Sequence, residues 1–324
     1  MPHSILEELI SIAKFTDKTI NFEGVYETVY ERSDFPKEKL YKVFRNDTFA
    51  VIGRNQSRNL RDKGFQVVIG LQDGWVEGET LFEITEACKK GTIIMYLLSD
   101  AGRKTEWNRI IPPNDCDVIM VAPKGSGTTV RSLFLDERGI NSSVAIFQDW
   151  IGRAEERAYA TGIAIGSGYL YPTTFEREIY SDLVGERETL MGCIQSIFKA
   201  QFEVLISNGH TPSETFNEMV EEATQSLYPL IGKNGMDWMY NNCSTTARHG
   251  ALDWMGKFYL ATKPILELLY ESIRNGTEAE NTLIVNSQPD YRENLSKELK
   301  ELRELQLWKT TVTVRSLCPE NQKI

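Results

Sequence analysis

The run Asp117-Val-Ile-Met-Val-Ala122 leads through Pro123-Lys-Gly-Ser-Gly127 into Thr128-Thr-Val-Arg131. A continuous apolar run of this length, ending in a glycine-rich turn, reads as a strand buried on both faces. Four more β-branched runs bounded by turn residues surround it: Phe49-Ala-Val-Ile-Gly53, Gln66-Val-Val-Ile-Gly70, Thr92-Ile-Ile-Met-Tyr-Leu-Leu98 and Ser143-Val-Ala-Ile-Phe147. Helix-like segments separate several of them, so the N-terminal half reads as a doubly wound, Rossmann-like α/β domain on a parallel sheet. Past residue 175 the period changes. Helix-period segments over 178–208, 212–231, 244–275 and 289–307 leave almost no strand pattern, and this half reads as all-α. Thr211-Pro-Ser-Glu214 forms a capping box that starts the second of these helices, and Gly232 and Gly235 are expected to end it.

Composition agrees with two folded domains. The chain has 324 residues, 41% hydrophobic and 25% charged, where a domain takes about 150. A net charge of −10 argues against nonspecific nucleic-acid or anionic-membrane binding. Five scattered cysteines without a C-x-x-C pair read as reduced thiols of a cytoplasmic protein. The opening stretch carries Glu7 and Glu8 within its apolar residues and has no basic flank, unlike a signal peptide, and no run reaches membrane-spanning length. Three histidines are too few for a His-rich metal site, which leaves oxygen ligands for a hard cation.

Two carboxylate pairs have that chemistry. Asp182 with Glu186 and Glu218 with Glu222 stand at i,i+4, a spacing that puts both acids on one helix face. For any one pair the plainer reading is two charges on a solvated face. Gly185 between the first two argues for close packing or substrate approach. From residues alone the pairs amount to a candidate magnesium site. Lys124, in the turn after the run 117–122, stands where a sheet presents groups to an anionic ligand, or is a solvated lysine of an ordinary turn. Ser244 or Thr245 in Asn242-Cys-Ser-Thr-Thr-Ala-Arg248 caps the next helix. Cys243 has no His or Asp beside it to make it a nucleophile.

At these residues the sequence closely resembles the ketol-acid reductoisomerase (acetohydroxyacid isomeroreductase) family, nearest its fungal and bacteroidete-like branch. Matching stretches run through almost the whole chain: Val121-Ala-Pro-Lys-Gly-Ser-Gly127, Tyr180-Ser-Asp-Leu183 with Gly185-Glu-Arg187, Gly209-His-Thr-Pro-Ser213, Asn242-Cys-Ser-Thr-Thr-Ala247 and Gly250-Ala-Leu-Asp-Trp254 among them. The resemblance implies a Rossmann-like cofactor domain over 1–172 and a knotted all-α domain over 173–324 for metal, substrate and dimerisation. It also implies two Mg²⁺ ions, NAD or NADP, and a small hydroxy or keto acid substrate from branched-chain amino acid biosynthesis. Asp182 is then the carboxylate bridging the metals and Glu186 a ligand, with Glu218 and Glu222 as the second pair, both ligating and catalytic. Lys124 is the active-site lysine, Ser244 the substrate-carboxylate contact, and Gly53, Arg54, Gln72 and Ser99 the cofactor contacts. An interlocked homodimer follows from the family precedent, with Glu218, Glu222 and Ser244 serving the neighbouring subunit.

Departures from the pattern fall mostly in the cofactor half. Gly53 leads straight into Arg54-Asn-Gln-Ser57, about five residues short of a G-x-G-x-x-G phosphate turn. A second shortening follows Leu71-Gln72. A third, between Gly102 and Trp107, removes a strand and the family's catalytic histidine. Trp150-Ile151 and Glu188, where the family has small residues and glycine, suggest an altered substrate rim. A repurposed enzyme, such as one forming a cyclopropanol with NAD, and a cofactor-less binding protein are the alternatives. Loop residues missing from the sequence as written account for the shortenings better than lost chemistry, because deleting a strand exposes an edge that nothing else offsets. Intact mass separates the two, since the shortened chain weighs 37.0 kDa and a heavier protein restores the loops.

Overall fold

The computed structural model describes residues 16–22, 25–31, 48–52, 54–70, 93–96 and 112–318. It divides into two compact units, Met1–Asp182 and Leu183–Ile324. The first is built on one eight-stranded sheet: β1 (Thr16–Phe22), β2 (Val25–Glu31), β3 (Thr48–Ile52), β4 (Gln66–Gly70), β5 (Ile93–Tyr96), β6 (Asp117–Pro123), β7 (Ser142–Gln148) and β8 (Tyr169–Pro172), in the order β1-β2-β8-β7-β6-β5-β3-β4. Helices α1 (Arg54–Asp62), α2 (Gly127–Leu135), α3 (Ala154–Ala164) and α4 (Phe175–Gly185) accompany it.

Strands β4, β3, β5 and β6 are mutually parallel. From β3 the chain moves outward to β4 and then returns across β3 to β5, so the winding reverses between β3 and β5. Carboxyl ends at such a reversal form the ligand crevice of a doubly wound sheet. The other side of the sheet departs from the expected all-parallel pattern: β7 runs antiparallel to β6, and β1, β2 and β8 are joined antiparallel. An apolar run records that both faces are covered, not which way the strand runs. β1 and β2 carry polar residues among their apolar ones, as in Val25-Tyr-Glu-Thr-Val-Tyr-Glu31, and so lack the continuous apolar signature of the buried strands.

In the second unit the predicted helix 178–208 is broken. After α4 come a π-helical turn at Glu186–Leu190 and then α5 (Gly192–Ser207). A Cβ on Gly192 would lie 2.1 Å from the Arg187 carbonyl oxygen, so the chain folds back on that turn only because this residue has no side chain. The predicted 212–231 helix is α6 (Pro212–Phe216), a π-helical stretch Asn217–Leu227 and α7 (Tyr228–Asn234). Its capping box forms as expected, and Gly235, at φ 91°, ends it. Gly232 lies inside α7. Then follow α8 (Met236–Asn242), α9 (Thr245–Arg274), α10 (Thr277–Asn286), α11 (Tyr291–Glu304) and α12 (Gln306–Ser316). Leu305, with extended backbone, splits the predicted 289–307 segment. Phe198, Phe202, Phe216, Met219, Val220 and Leu307 form a core of this unit. No described helix is long and apolar enough to cross a membrane.

The whole of β6 is buried, including its first residue, Asp117. That carboxylate is held by Arg157 of α3 at 2.5 Å and accepts the Trp150 amide at 2.8 Å. Removing one partner strands a charge in the interior, at about 3–5 kcal/mol. Urea unfolding should therefore show Arg157→Ala losing about that much, and Asp62→Ala, which breaks a half-exposed pair with Arg131, losing under about 1 kcal/mol.

Candidate active site

Lys124 follows β6 directly, at the edge where β3, β5 and β6 all end. Its amide donates to Asn141 O at 2.8 Å, tying the turn to the start of β7. The turn is tight: a Cβ on Gly125 would meet the Ile140 side chain at 2.4 Å, and one on Gly127 the Asn55 amide nitrogen at 2.7 Å. Asn55 is the second residue of α1, so α1 and α2 begin side by side at this edge. Ser126 caps α2, accepting from the Thr129 amide.

The Lys124 ammonium, one-third exposed, is paired with the Glu178 carboxylate, whose side chain is only 5% exposed. Glu178 reaches it from α4, which packs on the sheet through Phe175 against Met120, Ala122 and Ala145. One turn beyond Phe175, Glu178 Oε2 accepts from the Ser143 hydroxyl at 2.7 Å. One turn further, α4 carries Asp182, partly buried. Glu178, Asp182 and Glu186 thus form one i,i+4 series along the chain. The sequence reading took only the last two, and the unbroken spacing was the available signal for the first.

Glu186 opens the π-helical turn and is partly buried. Its neighbour Arg187 is anchored by Glu278 of α10, with Nε to Oε2 at 2.9 Å. Glu218 and Glu222 lie in the second π-helical stretch. Met219 and Val220 between them turn into the core, so both carboxylates face out, exposed and without an ion pair among the described residues. Ser244 is exposed and caps α9, its Oγ accepting from the Ala247 amide at 3.2 Å. Arg248 holds the end of α8 beside it through Tyr240 O at 2.7 Å and Asn241 O at 3.1 Å. Among the described residues no three acidic, histidine or cysteine side chains gather as a metal site. The donors are the hard oxygens that Mg²⁺ takes. Gly53, Gln72 and Ser99, like the segment around Gly102–Trp107, lie outside the described residues. Arg54 begins α1.

One expectation is corrected. The Trp150 and Ile151 amides face Asp117 at the start of β6, while Lys124 follows its end. Seven residues of strand, at about 3.3 Å each, separate them, so Trp150-Ile151 does not border the site around Lys124.

Tyr171 is the neighbour of Ser143 across the β7–β8 pair. Burial, followed by the nearby Glu178 charge, pushes its hydroxyl from 10.0 up to about 12. Because the folded state disfavours the phenolate, this contribution to stability is complete below about pH 10 and is lost as pH rises through about 12. Ultraviolet titration of the native protein should show a late tyrosine step that is absent in Tyr171→Phe; an unchanged curve would contradict the assignment.

Comparison with known proteins matches residues 175–320 to the ketol-acid reductoisomerase C-terminal domain and residues 101–169 to the acetohydroxy acid isomeroreductase NADPH-binding domain. The mitochondrial ketol-acid reductoisomerase of Neurospora crassa is 53% identical over 348 aligned residues, covering 94% of this chain and 87% of that protein. The ketol-acid reductoisomerase (NAD(+)) of Desulfosudis oleivorans is 49% identical over 347, covering 94% and 99%. Both alignments exceed the 324 residues of this chain, so these relatives carry segments that it lacks. Among solved structures, an NADH-preferring ketol-acid reductoisomerase from an uncultured archean superposes with a TM-score of 0.73 at 26% identity, covering 86% of this chain and 96% of that one. With the Lys124 turn and the acidic series of α4 in these matched segments, the chain belongs to the ketol-acid reductoisomerase family.

Proposed function

We propose that the chain catalyses the reaction of its family, an alkyl migration within a 2-hydroxy-2-alkyl-3-oxo acid coupled to reduction by NADH or NADPH. The observation that carries this reading is the Lys124 ammonium held by a buried carboxylate at the carboxyl end of β6. Bound magnesium supplies Lewis-acid polarisation of the substrate oxygens, and the nicotinamide supplies a hydride. The chain's own residues do the rest. Asp182, Glu186, Glu218 and Glu222 offer oxygen ligands. Ser244 accepts a backbone N–H as the cap of α9, which leaves its own hydrogen for a substrate carboxylate. Lys124 presents a fixed positive charge to a substrate oxygen.

The site is completed by a second copy. Helix α9 buries only Ile273 and leaves Phe258 65%, Leu260 72% and Leu268 73% exposed. An apolar helix this bare calls for a protein cover, and the exposed Glu218, Glu222 and Ser244 are then free to serve the partner subunit. A reducing compartment, the cytoplasm, suits the four described cysteines, none of them in a disulfide.

Turnover of 2-acetolactate with Mg²⁺ and NADH or NADPH is expected. Asp182→Asn and Glu222→Gln should each lose activity by about 100-fold or more. Co-expressed, the two variants should recover part of it, because a shared interface leaves one intact site in each hybrid dimer. Inactivity of the wild-type chain with every small branched hydroxy acid, together with no saturable NADH or NADPH binding by calorimetry, would favour the binding-protein reading that the shortened phosphate turn suggests.

A further inference from the structure

Glu178 has two carboxylate oxygens, and only Oε1 meets Lys124. The other would be a buried acceptor without a donor were it not for Ser143, at 2.7 Å. Ser143 is fully buried on β7. Its one hydroxyl hydrogen has two acceptors within range, and the Ala122 carbonyl at 3.5 Å is too far to compete. The serine hydrogen therefore goes to Glu178. The series Ser143, Glu178, Lys124 joins the buried start of β7 to the turn after β6.

We propose that Ser143 is a positioning residue for Lys124, acting through Glu178: by occupying Oε2 it fixes the rotation of the carboxylate, and so the place of the ammonium. Without it, Glu178 is left with an unsatisfied buried oxygen, which it relieves by rotating or by admitting water, and either movement loosens Lys124. This rests on Lys124 acting in the reaction proposed above.

Two readouts test it in the purified full-length chain. In steady-state turnover of 2-acetolactate, Ser143→Ala should lower kcat about tenfold, the scale of one charge-assisted hydrogen bond, with KM little changed. Ser143→Thr, which keeps a hydroxyl, should retain most of the rate. In a Glu178→Gln background the alanine substitution should cost nothing further. An unchanged kcat, or a full additional loss in the Glu178→Gln background, overturns the proposal. The second readout needs no turnover: acetylation of Lys124 by acetic anhydride, followed by peptide mass spectrometry, should be several-fold faster in Ser143→Ala than in the wild type, and equal rates overturn the proposal. A wild-type chain inactive on 2-acetolactate defeats the proposed reaction alone, and the labelling still decides the role of Ser143. Should the alanine chain fail to fold, Ser143→Cys, close in volume and a weak donor, repeats both measurements.

Discussion

A carboxylate taken out of water must be compensated or it will not stay ionised. In the first unit that constraint falls on Glu178. Its compensation comes from two strands at once: Lys124 from the end of β6 and Ser143 from β7. Meeting it pins α4 to the sheet at one rotation, with Phe175 on the apolar face below and Asp182 one turn above. The same packing therefore sets the place of the lysine and of the first acid in the proposed metal set. The tight glycine turn belongs to this arrangement, since side chains at Gly125 or Gly127 would push the lysine loop off Ile140 and Asn55.

The second unit solves a different problem. Its apolar residues Phe198, Phe202, Phe216 and Leu307 find partners within the unit, and Met219 and Val220 join them. That choice of face sends Glu218 and Glu222 outward, where nothing described in the chain neutralises them. Helix α9 is in a similar position with respect to apolar surface, exposing large side chains on most of its length. Acids without described cations and apolar residues without cover are the two observations behind the second copy proposed above.

Much of this was legible in the sequence, for reasons that can be named. Five strands were read close to their observed ends because each is a short, β-branched apolar run bounded by turn residues. The capping box at Thr211 was read because its geometry is local. β1 and β2 were missed, since their mixed apolar and polar residues match no buried-strand run. The direction of β7 was missed as well, since side-chain pattern is the same for a strand run either way. The break at Met191 depends on how closely Gly192 approaches a carbonyl, which composition does not record. Trp150-Ile151 looked like part of the site by its departure from the family and proved to stand at the far end of β6.

By itself the sequence determined the division into an α/β half and a helical half, the lysine turn at a strand end, and the supply of oxygen ligands, because each is written in local pattern or residue type. Tertiary structure alone decided which acid meets the lysine. Glu178, Asp182 and Glu186 stand at equal spacing and look alike along the chain, yet Glu178 is the one that meets a lysine 54 residues away and a serine 35 away. The partner of a charge is chosen by distance in space, and a helix laid on a sheet brings together residues that no sequence window contains.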